Sequence, residues 1–164
     1  MDSMKIAPAL EKLQPEPSLH LDNGYVPRAQ QALGKTMTGL QPIAIPRVPE
    51  RLLNEASQSY FLETRAKRYG ISLPEMAKSD RAGENAWKTA QPGLEELKSL
   101  LYENEDGPYL MGKQVSYADF IIAGFWVFAK RLGEEDIFGR LLKYDEAFAK
   151  HYQACEKWLE RDDH

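Results

Sequence analysis

The sequence predicts an all-α fold, and three observations carry that expectation. No segment shows the strand-length alternation of Val, Ile and Thr that a sheet needs. Apolar residues instead recur at spacings of three and four, most clearly in Trp87, Ala90, Leu94, Leu97 and Leu101. Helix starts are also written out as capping residues, most fully in Val115-Ser116-Tyr117-Ala118-Asp119-Phe120. Together they predict a bundle of roughly seven or eight helices around one apolar central helix.

The first predicted helix is capped by Asp2 or Ser3 and runs to about Leu13. Pro8 either kinks it or moves its start to Pro8 itself. Residues 14–24 hold Pro15, Pro17 and the Asn23-Gly24 pair, and read as a linker. A second helix spans about Pro27 to Leu40 and continues, bent, past Pro42 until Pro46 and Pro49 stop it. A third runs from Glu55 to Tyr69, with Asn54 as its cap, Gly70 as its left-handed terminator, and Leu62, Ala66 and Tyr69 as its apolar stripe. Ser72-Leu73-Pro74-Glu75 is a capping box that opens a short helical turn. A long helix follows from Arg81 to Asn104, bent at Pro92.

Ser116 then caps the central helix. The Asp119 carboxylate reaches back to the Ser116 N–H, the Ser116 hydroxyl accepts from the Asp119 N–H, and Val115 and Phe120 take the staple positions. From Phe120 to Ala129 only Gly124 interrupts the apolar run, so this helix is expected to be buried on nearly all sides. The Ser116/Asp119 pair is a folding signal, not a substrate contact. Two further helices are predicted near Glu135–Lys143 and Glu146–Arg161, and the tail to His164 is expected to fray.

Composition narrows the function classes. The chain has 164 residues, 43% of them hydrophobic, enough for one folded core. A formal net charge of −4 argues against a general nucleic-acid binder. The longest apolar run is too short to cross a bilayer, and the N-terminus does not read as a secretory signal. The single cysteine, Cys155, permits no internal disulfide and fits a reducing, cytoplasmic setting. It shares a helical stripe with Phe148, Tyr152 and Leu159 and reads as a small core residue. His20, His151 and His164 are scattered without metal-ligand spacing, so no metal is expected. Glu134-Glu135-Asp136 reads as an acidic helix start.

The loop Gly107-Pro108-Tyr109-Leu110-Met111-Gly112-Lys113-Gln114, followed by the Ser-x-x-Asp box and the apolar helix, resembles the C-terminal helical domain of glutathione S-transferases. Asp2-Ser3, ahead of Ile6 and Leu10, resembles a second piece of that family, the acid–serine pair that holds the γ-glutamyl end of glutathione. The chemistry suits the ligand, because a hydroxyl and free helical N–H groups fit a carboxylate and an acid fits an ammonium. Asp2-Ser3-Met4-Lys5-Ile6-Ala7 with Ala9-Leu10-Glu11, Ile45-Pro46-Arg47-Val48-Pro49 and Trp158-Leu159-Glu160-Arg161-Asp162 are similar to the fungal branch related to lignin ether-cleaving enzymes, while Pro8 departs from the usual pattern.

The resemblance implies a division into residues 1–13, the remnant last helix of a thioredoxin-like domain, residues 14–24, the linker, and residues 25–164, the helical domain. It also implies that the sheet, the cis-proline loop and the catalytic Tyr, Ser or Cys of the first domain are absent. The chain is therefore expected to contribute the pocket for a small hydrophobic electrophile in glutathione conjugation or ether cleavage, and to be inactive alone. Glutathione is then a co-substrate whose binding by this chain is doubtful, and a homodimer is possible. The alternative is a non-catalytic helical binding module, since such domains also serve as docking elements.

Between Tyr25 and Tyr69 there are seven Lys/Arg and three Glu. In the family the first two helices of this domain face the active-site cleft, so the run could be a basic wall for an anionic ligand, or only a solvated face. Arg47, Tyr60, Phe61 and Arg65 are the candidate pocket residues, with no catalytic residue among them.

Overall fold

The computed structural model describes residues 3–160. Its helices are α1 (Ser3–Leu13), α2 (Tyr25–Ala44), α3 (Val48–Leu52), α4 (Glu55–Tyr69), α5 (Leu73–Lys78), α6 (Glu84–Leu101), α7 (Tyr117–Leu132), α8 (Gly139–Tyr144) and α9 (Glu146–Cys155). Short 3-10 turns cover Ile45–Arg47 and Glu156–Trp158, and a π-turn covers Glu134–Phe138. Among the described residues there is no strand, only two isolated bridges within the 109–114 loop. The all-α expectation holds.

The scaffold is the pairing of α2 with α6, the most extensive in the molecule. Its closeness depends on glycine. A Cβ on Gly39 would stand 2.3 Å from the Ala90 backbone nitrogen, and one on Gly93 would stand 2.4 Å from the Thr36 nitrogen. Both are far inside van der Waals contact, so the backbones meet only because these residues lack side chains. The buried Thr36 hydroxyl donates to the Ala32 carbonyl 2.9 Å away, which satisfies it inside its own helix. At the rim, Lys35 binds Glu96 across the same pair, and Arg28 binds Glu103 just beyond the end of α6.

Helix α7 lies against α2, α3 and α9 and supplies Ile122, Phe125, Trp126, Ala129 and Leu132 to the core. The expectation of burial on nearly all sides is corrected on one strip. Tyr117, Ile121 and Phe128 are only partly buried, and Gly124 is exposed with nothing within 4 Å of where its Cβ would stand.

Of the prolines, only Pro46 and Pro49 depart from the expectation. Pro8 sits inside α1, which already starts at Ser3. Pro42 stays inside α2. Pro46 and Pro49 do not stop the helical path. They occupy the first positions of the 3-10 turn and of α3, where the missing N–H has no partner to lose and the fixed φ suits a helix start. The path breaks only at Leu53, which is extended at ψ 144°.

Boundaries shift for similar local reasons. Helix α6 starts at Glu84, because Gly83 adopts φ +56° and ends the preceding turn. Helix α9 gives way to a 3-10 turn after Cys155, and Arg161 to His164 lie outside the described residues. Helix α4 has its expected caps: Asn54 Oδ1 accepts from the Ser57 N–H at 3.0 Å, and Gly70 sits at φ +68°. Its expected stripe is wrong, since α4 buries no residue fully and Leu62 is 40% exposed. The helix packs on short α3 and α5 at the edge of the bundle, so only the Phe61 ring reaches the core.

Candidate functional site

Of the residues expected to hold glutathione, Asp2 lies outside the described residues, and Ser3 is placed only as the first backbone position of α1. The rest of α1 shows what this end of the molecule presents. Ala7 is buried, while Ile6, Leu10 and Leu13 face outward, the last 82% exposed. The Glu11 carboxylate accepts from the Leu19 N–H at 2.8 Å and from the Ser18 hydroxyl at 2.6 Å, folding the 14–24 segment back along the helix. The Leu19 carbonyl in turn accepts from the Tyr117 N–H at 2.8 Å. The segment therefore joins α1 to the first turn of α7.

The four candidate pocket residues are only partly brought together. Phe61 and Arg65 lie one helical turn apart on α4, with the guanidinium 4.5 Å from the ring centroid. Tyr60 is 73% exposed. Arg47 is engaged elsewhere. Its guanidinium donates through both Nη atoms to Asp136, with Nη1 at 2.9 Å from Oδ1, and Nη1 also donates to the Leu132 carbonyl at 3.3 Å. The side-chain bond to Asp136 raises the Arg47 pKa and lowers that of Asp136. Arg47 thus fastens the turn after α2 to the C-terminal end of α7, where the free carbonyls favour a cation. Asp136 does more than open a helix.

The basic run is also partly spent. Arg28, Lys35 and Arg47 bind acids from α6, the segment after α6, or the π-turn. The cations of this run that do not bridge to those acids are Arg51, Arg65, Lys67 and Arg68, all in α3 or α4.

The Ser116/Asp119 pair forms the expected capping box and is the centre of a larger buried network. Asp119 Oδ2 accepts from the Ser116 N–H and hydroxyl, both at 2.8 Å, and Oδ1 accepts from the Leu110 N–H at 2.9 Å. The Ser116 hydroxyl thus also donates to the carboxylate. His151 completes the set. Its Nε2 lies 3.2 Å from Asp119 Oδ1, and its Nδ1 accepts from the Trp126 indole N–H at 3.1 Å. The indole has only a donor, so Nδ1 is the acceptor and Nε2 carries the proton toward the carboxylate.

Asp119 and His151 are both fully buried. Burial pushes the Asp119 pKa up, but the bonds from His151, Leu110 and Ser116 outweigh it and leave the carboxyl below its ordinary value. Cys155 lies 3.9 Å from the His151 ring nitrogens, and burial, with Asp119 nearby, raises its thiol to about 12. That is an inert core sulfur, as expected.

His151 has no metal-ligand spacing in the sequence, so nothing there marks it as a ligand. The available signal was its place on the α9 stripe between Phe148 and Cys155, a histidine at a core position that needs partners. Among the described residues, no group of His, Cys, Asp and Glu could hold a metal ion, and no helix is long and apolar enough to cross a membrane.

Comparison with known proteins agrees with this architecture. The family described as "Glutathione S-transferase, C-terminal domain" matches residues 29–158. The glutathione S-transferase-like protein ustS of Aspergillus flavus is 26% identical over 170 residues, covering 98% of this chain and 61% of that protein. The glutathione S-transferase CsGST63524 of Ceriporiopsis subvermispora, solved in complex with glutathione, superposes with a TM-score of 0.80 at 25% identity, covering 99% of this chain and 68% of that one. Glutathione transferase GSTFuA3 of Phanerochaete chrysosporium gives a TM-score of 0.73 at 30% identity, covering 93% and 62%. The chain spans roughly two thirds or less of the length of these relatives.

Proposed function

Because this chain belongs to the family of glutathione S-transferase C-terminal domains, we propose that it is the helical, substrate-side part of a glutathione transferase-like protein. In this reading α2 to α4 form the wall that receives a small hydrophobic electrophile. Glutathione is held mainly by a thioredoxin-like domain, with Asp2 and Ser3 meeting its γ-glutamyl end. The observation that carries the reading is the family match over residues 29–158. The outward apolar face of α1, with Ile6, Leu10 and Leu13, is consistent with a further domain covering it.

Phe61 and Arg65 are the pocket residues this reading favours. The ring offers an apolar contact, and the guanidinium beside it can meet a carboxylate of the electrophile or of glutathione. Tyr60 and Arg47 take secondary places, the first at the rim and the second as a brace for the α2–α3 turn. The transfer step itself is assigned to groups outside these residues, so the chain alone does not conjugate glutathione to 1-chloro-2,4-dinitrobenzene.

The test is a titration of the isotope-labelled chain with S-hexylglutathione, followed by amide shifts. Shifts concentrated on Phe61, Arg65 and the first turn of α1, reduced in Phe61→Ala, support the proposal. Shifts confined to other faces would remove the pocket from α4. Measurable conjugation by the purified chain would show that a thiol-activating group lies within it after all.

A further inference from the structure

A cleft of about 730 Å³ opens between the end of α6, the loop after it and α9, and its lining shares no residue with α2 to α4. Its apolar lining is Leu101, Pro108, Ala147 and Ala154. Ala147 and Ala154 stand seven positions apart on one face of α9, and their short side chains leave the cleft open. The walls are held in place. The Tyr109 hydroxyl donates to the Ala154 carbonyl at 3.0 Å, tying the loop to the helix. A Cβ on Gly107 would stand 2.4 Å from the Gly112 oxygen, so the loop closes tightly on itself. The Tyr102 hydroxyl donates to Asp145 at 2.7 Å, which fixes its ring as a side wall.

The charges of the cleft are not balanced. Lys150 lines it, but its ammonium is 3.0 Å from Glu146. Glu105 also lines it, and has no ion pair among the described residues. Glu105 also adds to the raising of the Tyr102 hydroxyl, as the smallest contribution after Asp145, burial and Glu146. The cleft also receives the C-terminal end of α6, the negative end of an 18-residue helix. One carboxylate, one helix C-terminus and one aromatic ring all favour a cation over an anion.

We propose that this cleft binds a hydrophobic organic amine: an aromatic or branched apolar body on Leu101, Pro108, Ala147 and Ala154, with its ammonium at Glu105 beside the Tyr102 ring.

Three probes with the same naphthyl body test it on the full chain: 1-naphthylmethylamine, 1-naphthalenemethanol and 1-naphthoate, each titrated with amide shifts as the readout. The expected order is amine, then alcohol, then carboxylate, with shifts at Gly107, Ala147 and Ala154. Glu105→Gln is expected to weaken the amine about three- to fivefold, to the level of the alcohol, and to leave the alcohol unchanged. Ala154→Trp, checked for folding by circular dichroism, is expected to abolish binding of all three. The proposal is overturned if the carboxylate binds best, if Glu105→Gln weakens amine and alcohol equally, or if shifts fall elsewhere than on this cleft. The S-hexylglutathione titration reads different residues, so either proposal can fail without the other.

Discussion

His151 Nε2 sits 3.2 Å from Asp119 Oδ1, and neither side chain has any solvent exposure. This contact joins α9 to the first turn of α7 through a single carboxylate that also anchors the Leu110 loop. Removing one partner strands the others. Asp119→Ala is expected to cost about 3–5 kcal/mol, because two backbone N–H groups and the imidazole lose their acceptor in a dry site. Urea unfolding measures this, and a loss below about 1 kcal/mol would mean that water replaces the carboxylate.

The same carboxylate predicts an acid-side pH dependence. Its folded pKa lies below the unfolded value near 3.8, so folding favours the ionised form. The stability it adds is fully present above that value and is lost as pH falls through the lower folded pKa. Thermal midpoints recorded from about pH 5 downward should fall less steeply in Asp119→Asn than in the parent chain. Equal slopes would assign the acid sensitivity to other carboxylates, with Asp136 beside Arg47 the next candidate.

Cys155 predicts an alkaline counterpart. Burial raises its thiol from 9.0 to about 12, so the folded state favours the neutral form. Its stabilising contribution is fully present below the unfolded value and declines as pH rises through the folded one. At neutral pH a disulfide reagent such as Ellman's should react only at the rate at which the protein opens. Rapid, stoichiometric reaction of folded protein would contradict the burial of the sulfur.

The α2–α6 crossing predicts a contrast among glycines. Gly39→Ala and Gly93→Ala place a methyl group against neighbouring backbone and should each cost about 1–3 kcal/mol or more. Gly34→Ala and Gly124→Ala lie in helices with nothing within 4 Å and should be neutral or gain up to about 1 kcal/mol. Thermal unfolding of the four variants decides it, since a uniform response would mean that the helices can separate without loss.

Much of the local structure was legible in the sequence because its causes are local. Asn54 and Gly70 bound α4, Ser72 with Glu75 opens α5, and Ser116 with Asp119 opens α7, since each signal acts within a few residues. The stripe from Trp87 to Leu101 likewise marked the buried face of α6, because each of its members points to one side of the same helix. Pro46 and Pro49 show the limit of this, because a proline looks alike as a stop and as a residue of a first turn, and only the surrounding path distinguishes the two.

The sequence by itself determined the helical class, the capped helix ends and the family, because caps, periodicity and turn residues are short-range physics. Only the tertiary structure decided which charges are spent and which polar groups are partnered. Arg47 meets Asp136 across 89 positions, and Asp119 meets His151 across 32. Nothing in the local spacing of either pair encodes that meeting. It arises because helix packing carries distant segments to the same place, where a buried charge must find a partner.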